Sequence, residues 1–479
     1  MDSHQRHLSR GFNWLGSATL LAKIIDFSTT LAVLLFLTKE QVGIAALVVS
    51  VGMVIEALDG FGTSQALVQA PSITRHQLDT LFWFIFTSAL AIGALTWLAA
   101  PWIAKIYGIA GMASYFLAIA IKQPLVGAAV IPLAILNRNL QYERIAIVNL
   151  CATLGAAATR LGLAVSGAGA WALVIAYVAS GAYTLIGAQL AHPFRPGLRF
   201  NMGAISSLLR FGLSATASNI FEQLFRNVDF LLVGWFYGTS SLAIYRVAFD
   251  VAMEPAMAVG ILINRTALPV LARVAAVREH LAQSLRWSLG RIAALVFPLM
   301  VGLALAADPL TALLHDEQGH SYAAAALPLK LLAAAALMRV TSQLLYPLMM
   351  GSGRPGEAAR LSGATLLLLS AGIFAAGLSF PAQSGIVAMS AVWLAVYPLL
   401  LVWAAFYLRR EWNIRAAELA GAFTAPGLAI GSLVAIGLLA NLLVADSDPR
   451  IKLGVVIVAT ALTYGGLFVY SRSRPVQTA

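Results

Sequence analysis

Apolar runs long enough to cross a bilayer recur along almost the whole chain, and no other feature constrains its fold as tightly. A helix needs roughly 20 predominantly apolar residues to span the hydrocarbon core. Such runs occupy residues 14–37, 42–68, 81–104, 113–136, 145–166, 170–190, 211–237, 242–268, 287–307, 323–350, 361–378, 385–408, 421–444 and 451–470. That is about fourteen spans by the hydropathy criterion. An all-α, polytopic membrane protein is therefore expected. Composition agrees, because 60% of the 479 residues are hydrophobic and 11% are charged, too little charge to cover a soluble surface of this size. Pro132, Pro255, Pro298, Pro347 and Pro398 fall inside these runs, where they are expected to kink the helices, with neighbouring helices satisfying the freed carbonyls.

The net charge of +11 would suggest nucleic acid in a soluble chain. Here its positions point to topology instead, and no nucleic-acid partner is expected. Alternate loops hold Arg75; Arg138 and Arg144; Arg195 and Arg199; Arg273, Arg278 and Arg286; Arg354; Arg409, Arg410 and Arg415. The tails add Arg6, Arg10, Arg472 and Arg474, whereas the opposite loops hold only Lys39, Lys105, Arg450 and Lys452. The positive-inside rule then places both termini in the cytoplasm. The N-terminal apolar run reads as a retained first span, being too long for a signal peptide and lacking a small-residue cleavage site. Every loop is short, so whatever the chain does, it does within the bilayer. A shift of about 200 residues lays the first two spans on the seventh and eighth, with "TKEQVGIAALVVSV" against "GTSSLAIYRVAFDV". Two similar halves suit a transporter that rocks one bundle against another.

Charges inside the spans carry the functional signal. In "NIFEQLFRNVDFLLVGWFYG" the residues Ser218, Asn219, Glu222, Arg226 and Asp229 share one helical face. Arg246, Asp250 and Glu254 step by four along the eighth span, and Asn264 continues the stripe. Thr19, Lys23, Asp26 and Thr30 share a face of the first span, and Glu56, Asp59 and Thr63 share one of the second. Lys122 and Arg160 sit in the fourth and fifth, and Arg339, Ser342, Gln343 and Tyr346 share a face of the tenth. Arg210, Arg265 and Lys330 lie near span ends, where they can snorkel. Ionisable groups at this depth are expensive and face a protein interior or a watery cavity. One reading is mutual neutralisation, since Glu222–Arg226 and Arg246–Asp250 are spaced i,i+4 and Lys23–Asp26 i,i+3. The other is a cavity whose cations hold an anionic head group and whose carboxylates Asp26, Glu56, Asp59, Asp250 and Glu254 take up a coupling proton or sodium ion. Tyr237, Tyr245, Trp235 and Tyr346 are available to stack on sugars, although Trp235 and Tyr237 suit interfacial anchors as well.

No catalytic or metal motif emerges, and neither an enzyme nor a cofactor is expected. "ADSDPR" has D-x-D spacing in Asp446 and Asp448, yet reads better as Asp448 capping a helix with Pro449 in its first turn. "HDEQGH" gathers His315, Asp316, Glu317 and His320 without a third convergent segment, and reads as a solvated loop. Cys151, the one cysteine, reads as a small buried hydrophobe. The rivals to a transporter of an anionic head group are a cation-coupled multidrug exporter, disfavoured by the many cations, and a membrane glycan polymerase or glycosyltransferase, disfavoured by the short outer loops. A scaffold within a biosynthetic complex would leave the buried charge unexplained.

The segments "LRFGLSATASNIFEQLFRNVDFLLVGWFYGTSSLAIYRVAFDVAMEP", "NRTALPVLARV", "DGFGTSQALVQ", "IPLAILNRNLQYERIAIV" and "GAWALVIAYVASG" resemble the polysaccharide transporter family, the O-antigen and exopolysaccharide flippases. That family belongs to a superfamily with the multidrug and toxin exporters and the lipid II flippase. The resemblance implies two six-helix bundles around a central cavity, over 1–200 and 201–415, followed by two further C-terminal helices over 416–479. It implies flipping of an undecaprenyl-pyrophosphate-linked oligosaccharide across the bacterial inner membrane for exopolysaccharide, capsule or O-antigen synthesis. The polymerase and other biosynthetic proteins are the implied partners, and a monomer suffices. The family's charged cavity lining matches Arg226, Asp229, Arg246 and Asp250.

Overall fold

The computed structural model describes residues 3–70, 72–274, 277–443 and 447–473, without the side chains of 3–15, 65, 69, 211, 213–215, 218, 261–274, 355, 440–443 and 468–473. The side chains of Arg6, Arg10, Ser218, Asn264, Arg265, Arg273, Arg472 and Arg474, and Asp446 itself, lie outside the described residues.

The described chain is helical almost throughout. Its helices are α1 (Ser3–Val33), α2 (Lys39–Glu56), α3 (Thr63–Gln69), α4 (Arg75–Tyr107), α5 (Met112–Arg138), α6 (Tyr142–Val165), α7 (Ala170–Ala191) and α8 (Ser206–Val274). After these come α9 (Arg278–Leu313), α10 (Ala326–Ser342), α11 (Leu345–Gly351), α12 (Pro355–Ser379), α13 (Ala382–Trp412), α14 (Ala416–Ala420), α15 (Thr424–Leu443) and α16 (Pro449–Ser473). Local chemistry sets several ends. Thr38 and Thr74 each accept from the backbone of a glutamine three residues on, while Gln41 and Gln77 reach back to the cap amide, giving two capping boxes. Gly108 closes α4 in the left-handed conformation. Asp448 accepts from the Arg450 amide at 2.7 Å with Pro449 opening α16, the expected cap.

Among the described residues, eleven helices are long and apolar enough to cross a membrane, or twelve if Lys39–Glu56 and Asp59–Val68 form one broken span. The expected spans 211–237 and 242–268 are the two arms of α8, parted at Gly238 by φ 77° and ψ 179°, and α8 is not among those eleven helices. The expected span 42–68 is corrected: it is interrupted. After Glu56 the chain bends by 40° through a short 3-10 turn, Asp59–Gly62, in which Gly60, Phe61 and Gly62 all have positive φ. By contrast α5, α9 and α13 run on through Pro132, Pro298 and Pro398.

Contacts group the chain into Met1–Ala243 and Ile244–Ala479. In the first unit α4 packs on α5, α6 on α1 and α7, and α5 on α7. Its core includes Leu67, Leu81, Ile85, Ile131 and Phe194. Gly43 and Gly212 let backbones touch: a Cβ would stand 1.8 Å from the Thr239 carbonyl oxygen at the first and 2.2 Å from the Phe61 oxygen at the second. In the second unit α10 packs on α9 and α13, α12 on α13, and α9 carries α15 and α16.

The reading of Cys151 changes, and that of one loop gains detail. Cys151 is exposed on α6; an apolar side chain in a membrane helix can be satisfied by lipid as well as by protein. The "HDEQGH" loop is solvated as expected, with His315, Glu317, Gln318 and His320 exposed, and it turns around one buried carboxylate. Asp316 accepts from the amides of Gln318 at 3.0 Å and His320 at 2.7 Å, and His315 pairs with Ser321. No metal-ligand cluster is present among the described residues.

Candidate functional site

The first unit builds its polar centre on the break in the second span. Glu56 closes α2 and Asp59 opens the 3-10 turn, so both carboxylates stand beside unwound backbone, where discontinuous membrane helices place ion and substrate sites. Thr63 Oγ1 donates to the Gly60 carbonyl at 2.5 Å, replacing part of the lost helical bonding. Lys122 of α5 places its ammonium 2.5 Å from Glu56 Oε1 and 3.1 Å from the centroid of the Tyr177 ring of α7. The Tyr177 hydroxyl donates to the same Glu56 oxygen at 2.5 Å. Gln123, its amide nitrogen turned toward Asp59, donates to both carboxylate oxygens at 2.9 and 2.6 Å. Lys122 and Gln123 are buried. With every group ionised, two carboxylates face one ammonium, a charge of −1 for these three groups.

A second cluster joins α1 to α6. Arg160 donates to Asp26 Oδ1 at 2.7 Å, Thr29 at 2.7 Å and Thr30 at 2.6 Å. The arginine side chain is 11% exposed and the aspartate 52%, so Asp26 keeps an open side. Lys23 is partly buried one turn earlier on α1. Asp26 thus takes its arginine from another helix, a pairing that i,i+3 and i,i+4 spacing does not announce.

On the first arm of α8, Arg226 donates to Glu222 Oε1 from Nε at 3.1 Å and from a terminal nitrogen at 2.7 Å. Their side chains are 47% and 58% exposed. Asn219 is partly buried. Asp229 is fully buried and accepts from the Phe230 amide at 2.9 Å. The stripe therefore splits into an open ion pair and a buried carboxylate a turn further on.

The second unit has its own centre. Arg246 Nε donates to Asp250 Oδ2 at 2.8 Å, the expected i,i+4 pair, with Glu254 partly buried beyond it. The guanidinium carbon of Arg339 is 5.3 Å from the centre of the Trp393 ring, and the residue is buried. Trp393 Nε1 donates to the buried Tyr245 hydroxyl at 3.0 Å and packs on Phe249 and Tyr397. Gln343 sits in the gap between α10 and α11 and lies against Gly260, where a Cβ would be 1.8 Å from its Oε1. Tyr346 is exposed on α11. Sequence patterning missed Tyr177, Gln123, Trp393 and Tyr397 as parts of these centres. The signal was a hydroxyl, amide or indole N–H at bilayer depth, each of which needs a partner there.

Apolar helices in this number, with ion pairs set among them, define a multi-pass α-helical membrane protein whose interior is charged. Residues 33–324 match the family model described as "Polysaccharide biosynthesis protein". The chain belongs to that family.

Two curated relatives are similar over most of the chain. The lipopolysaccharide biosynthesis protein WzxC of Escherichia coli (strain K12) is 22% identical over 346 residues, covering 70% of this chain and 66% of that protein, a little under two thirds of its length. The teichuronic acid biosynthesis protein TuaB of Bacillus subtilis (strain 168) is 22% identical over 382 residues, covering 78% of each. Among solved structures, the lipid II flippase MurJ in an inward closed conformation shares the fold with a TM-score of 0.71 at 13% identity, covering 96% of this chain and 99% of that one.

Proposed function

We propose that this protein is a flippase, not an enzyme, that carries polyprenyl-pyrophosphate-linked oligosaccharide from the cytoplasmic to the outer leaflet of the bacterial inner membrane by alternating access. Both termini are then cytoplasmic, and the product feeds exopolysaccharide, capsule or O-antigen assembly. The observation that carries this reading is the half-exposed Glu222–Arg226 pair on the first arm of α8, within the apolar run 211–237 of a polysaccharide-biosynthesis chain. Half-exposed charges at that depth call for water or a polar passenger. The guanidinium of Arg226 suits a phosphate, and Glu222 holds it in place between passengers. Family membership and the fold shared with a lipid II flippase support the same assignment.

The buried centres divide the remaining work. Lys122, Arg160 and Arg339 are tied into the protein and act by holding their neighbours rather than by meeting the passenger. The Glu56–Asp59–Lys122 cluster, with more carboxylate than ammonium, is the candidate for uptake of a proton or sodium ion. Asp250 and Glu254 are the candidates in the second unit. A cation that binds one conformation better biases the return step by that difference alone.

The test is the sidedness of lipid-linked oligosaccharide in a deletion strain complemented with wild type or Arg226→Ala. Inner-leaflet accumulation relieved only by wild type, with the variant present in the membrane at normal level, is the expected result. Normal outer-leaflet delivery without the protein would remove the flippase reading. Drug hypersensitivity of the same strain, with glycan delivery intact, would assign the fold to drug export.

A further inference from the structure

The connection from α7 to α8 lies along the start of α4, and side chains of α4 hold its backbone there. Arg75 donates to the Arg195 carbonyl, Trp83 Nε1 to the Gly197 carbonyl at 2.9 Å and Gln77 to the Ala204 carbonyl at 3.0 Å, while Thr80 Oγ1 accepts from the Asn201 amide at 3.2 Å. Gly197 has to be small, because a Cβ there would stand 2.7 Å from Oδ2 of the buried Asp79. Phe194 and Ile205 join the core of the first unit. Between these two anchors the side chains turn outward. Leu198 is 91% exposed, Phe200 58% and Met202 44%, and they alternate with the exposed Arg199 and Asn201. Arg195 and Arg210 are exposed on either side. Residues 192–210 hold three arginines and no carboxylate. Among the described residues, neither the Arg195 nor the Arg199 guanidinium has a hydrogen-bond or ion-pair partner.

The anchors fix the depth of this outward face. Trp83 belongs to the apolar run 81–104 of α4 and stands about 12 Å along the helix from Arg75. The Gly197 carbonyl is bonded to its indole, so Leu198 begins where the hydrocarbon begins rather than out among the loops. A tryptophan N–H and arginines at that level are the side chains that populate a lipid–water interface. Three exposed apolar side chains in succession would meet water unfavourably on a solvated loop; at this depth they meet acyl chains. The arginines beside them reach outward to the phosphate layer. With no carboxylate to pair with, they favour a leaflet of net negative charge over a zwitterionic one.

We propose that residues 195–202 form an interfacial strap that seats on anionic phospholipid, with Leu198, Phe200 and Met202 among the upper acyl carbons and Arg195 and Arg199 on lipid phosphates. The strap leads directly into α8, whose first arm carries the Glu222–Arg226 pair, so lipid charge bears on where that arm begins. The surface stands whether or not the chain is a flippase; only the leaflet, the cytoplasmic one, depends on the topology proposed above.

The experiment uses the full chain in nanodiscs of phosphatidylcholine with or without phosphatidylglycerol. In a Cys151→Ser background, Leu198→Cys carries an environment-sensitive fluorophore, and doxyl-labelled lipid quenches a probe that enters the acyl region. With phosphatidylglycerol present the probe is expected to shift to the blue and be quenched, whereas the same probe at Gln318→Cys, on the exposed loop of the second unit, stays water-like in both discs. Each of Arg195→Gln and Arg199→Gln should lower the ratio of inserted to exposed probe about fivefold, the share of one basic side chain at a charged surface. Arg195→Lys combined with Arg199→Lys should retain insertion, because the attraction reads charge. Phe200→Ser should reduce insertion in both lipids without changing charge. A water-like probe at position 198 in both discs overturns the proposal, as does wild-type behaviour of Arg195→Gln combined with Arg199→Gln. Equal insertion with and without phosphatidylglycerol would leave an apolar anchor only and overturn the anionic assignment. Burial of the probe solely in discs that hold two chains would give the face to a second copy and overturn the lipid assignment.

Discussion

Lys122 meets Glu56 inside the bilayer region with Tyr177 against both. A buried pair of this kind is costly to break and cheap to replace as a unit. Lys122→Met leaves the Glu56 carboxylate uncompensated and should cost about 3–5 kcal/mol, seen as an early thermal unfolding transition. The double variant Glu56→Met with Lys122→Met should regain most of that stability. If that double variant folds and still flips substrate at the wild-type rate, Glu56 has no coupling role. Trp393→Phe keeps the ring stacking and removes only the N–H donated to Tyr245, so it should cost about 1 kcal/mol, the usual worth of one neutral hydrogen bond. Asp26 and Arg160 show the limit of residue patterning. Each is conspicuous in its own span, but their contact joins residues 134 apart in sequence, and no helical period predicts that.

Helix interruptions fall where glycine allows a backbone that other residues resist. Gly238 has φ 77° and ψ 179°, and nothing lies within 4 Å of where its Cβ would be. The site is therefore open to a side chain in space but closed in conformation. Gly238→Ala should cost about 1–3 kcal/mol of unfolding free energy. Gly427→Ala is the control, because Gly427 also has open space and no positive φ; it should be neutral or slightly stabilising. Loss of stability in both, or in neither, would mean that the break at Gly238 is not conformationally enforced. In the second span the letters D-G-F-G marked the break. The apolar length around them concealed it, because hydropathy averages over a window and cannot register three positive-φ residues.

Across the whole molecule, the alternation of arginine-rich and arginine-poor loops makes a topological prediction. In a Cys151→Ser background, Gln318→Cys should react with a membrane-impermeant maleimide added to spheroplasts, whereas Arg409→Cys should react only after permeabilisation. Both residues are exposed. Labelling of Arg409→Cys from outside would invert the orientation and with it the direction of transport proposed above.

The sequence alone determined the all-helical membrane architecture, most span positions, the asymmetry of charge and the presence of ionic groups at bilayer depth. Each of these follows from the transfer free energy of side chains between water and lipid, a property of composition within a short window. The tertiary structure alone decided which charge meets which. It made Lys122, Arg160 and Arg339 the neighbours of Glu56, Asp26 and Trp393, and left the Glu222–Arg226 pair half-exposed. The physical reason is range: hydropathy and helical periodicity act between neighbours along the chain, whereas an ion pair or a cavity forms between helices whose meeting depends on how close glycines such as Gly43 and Gly212 let their backbones come.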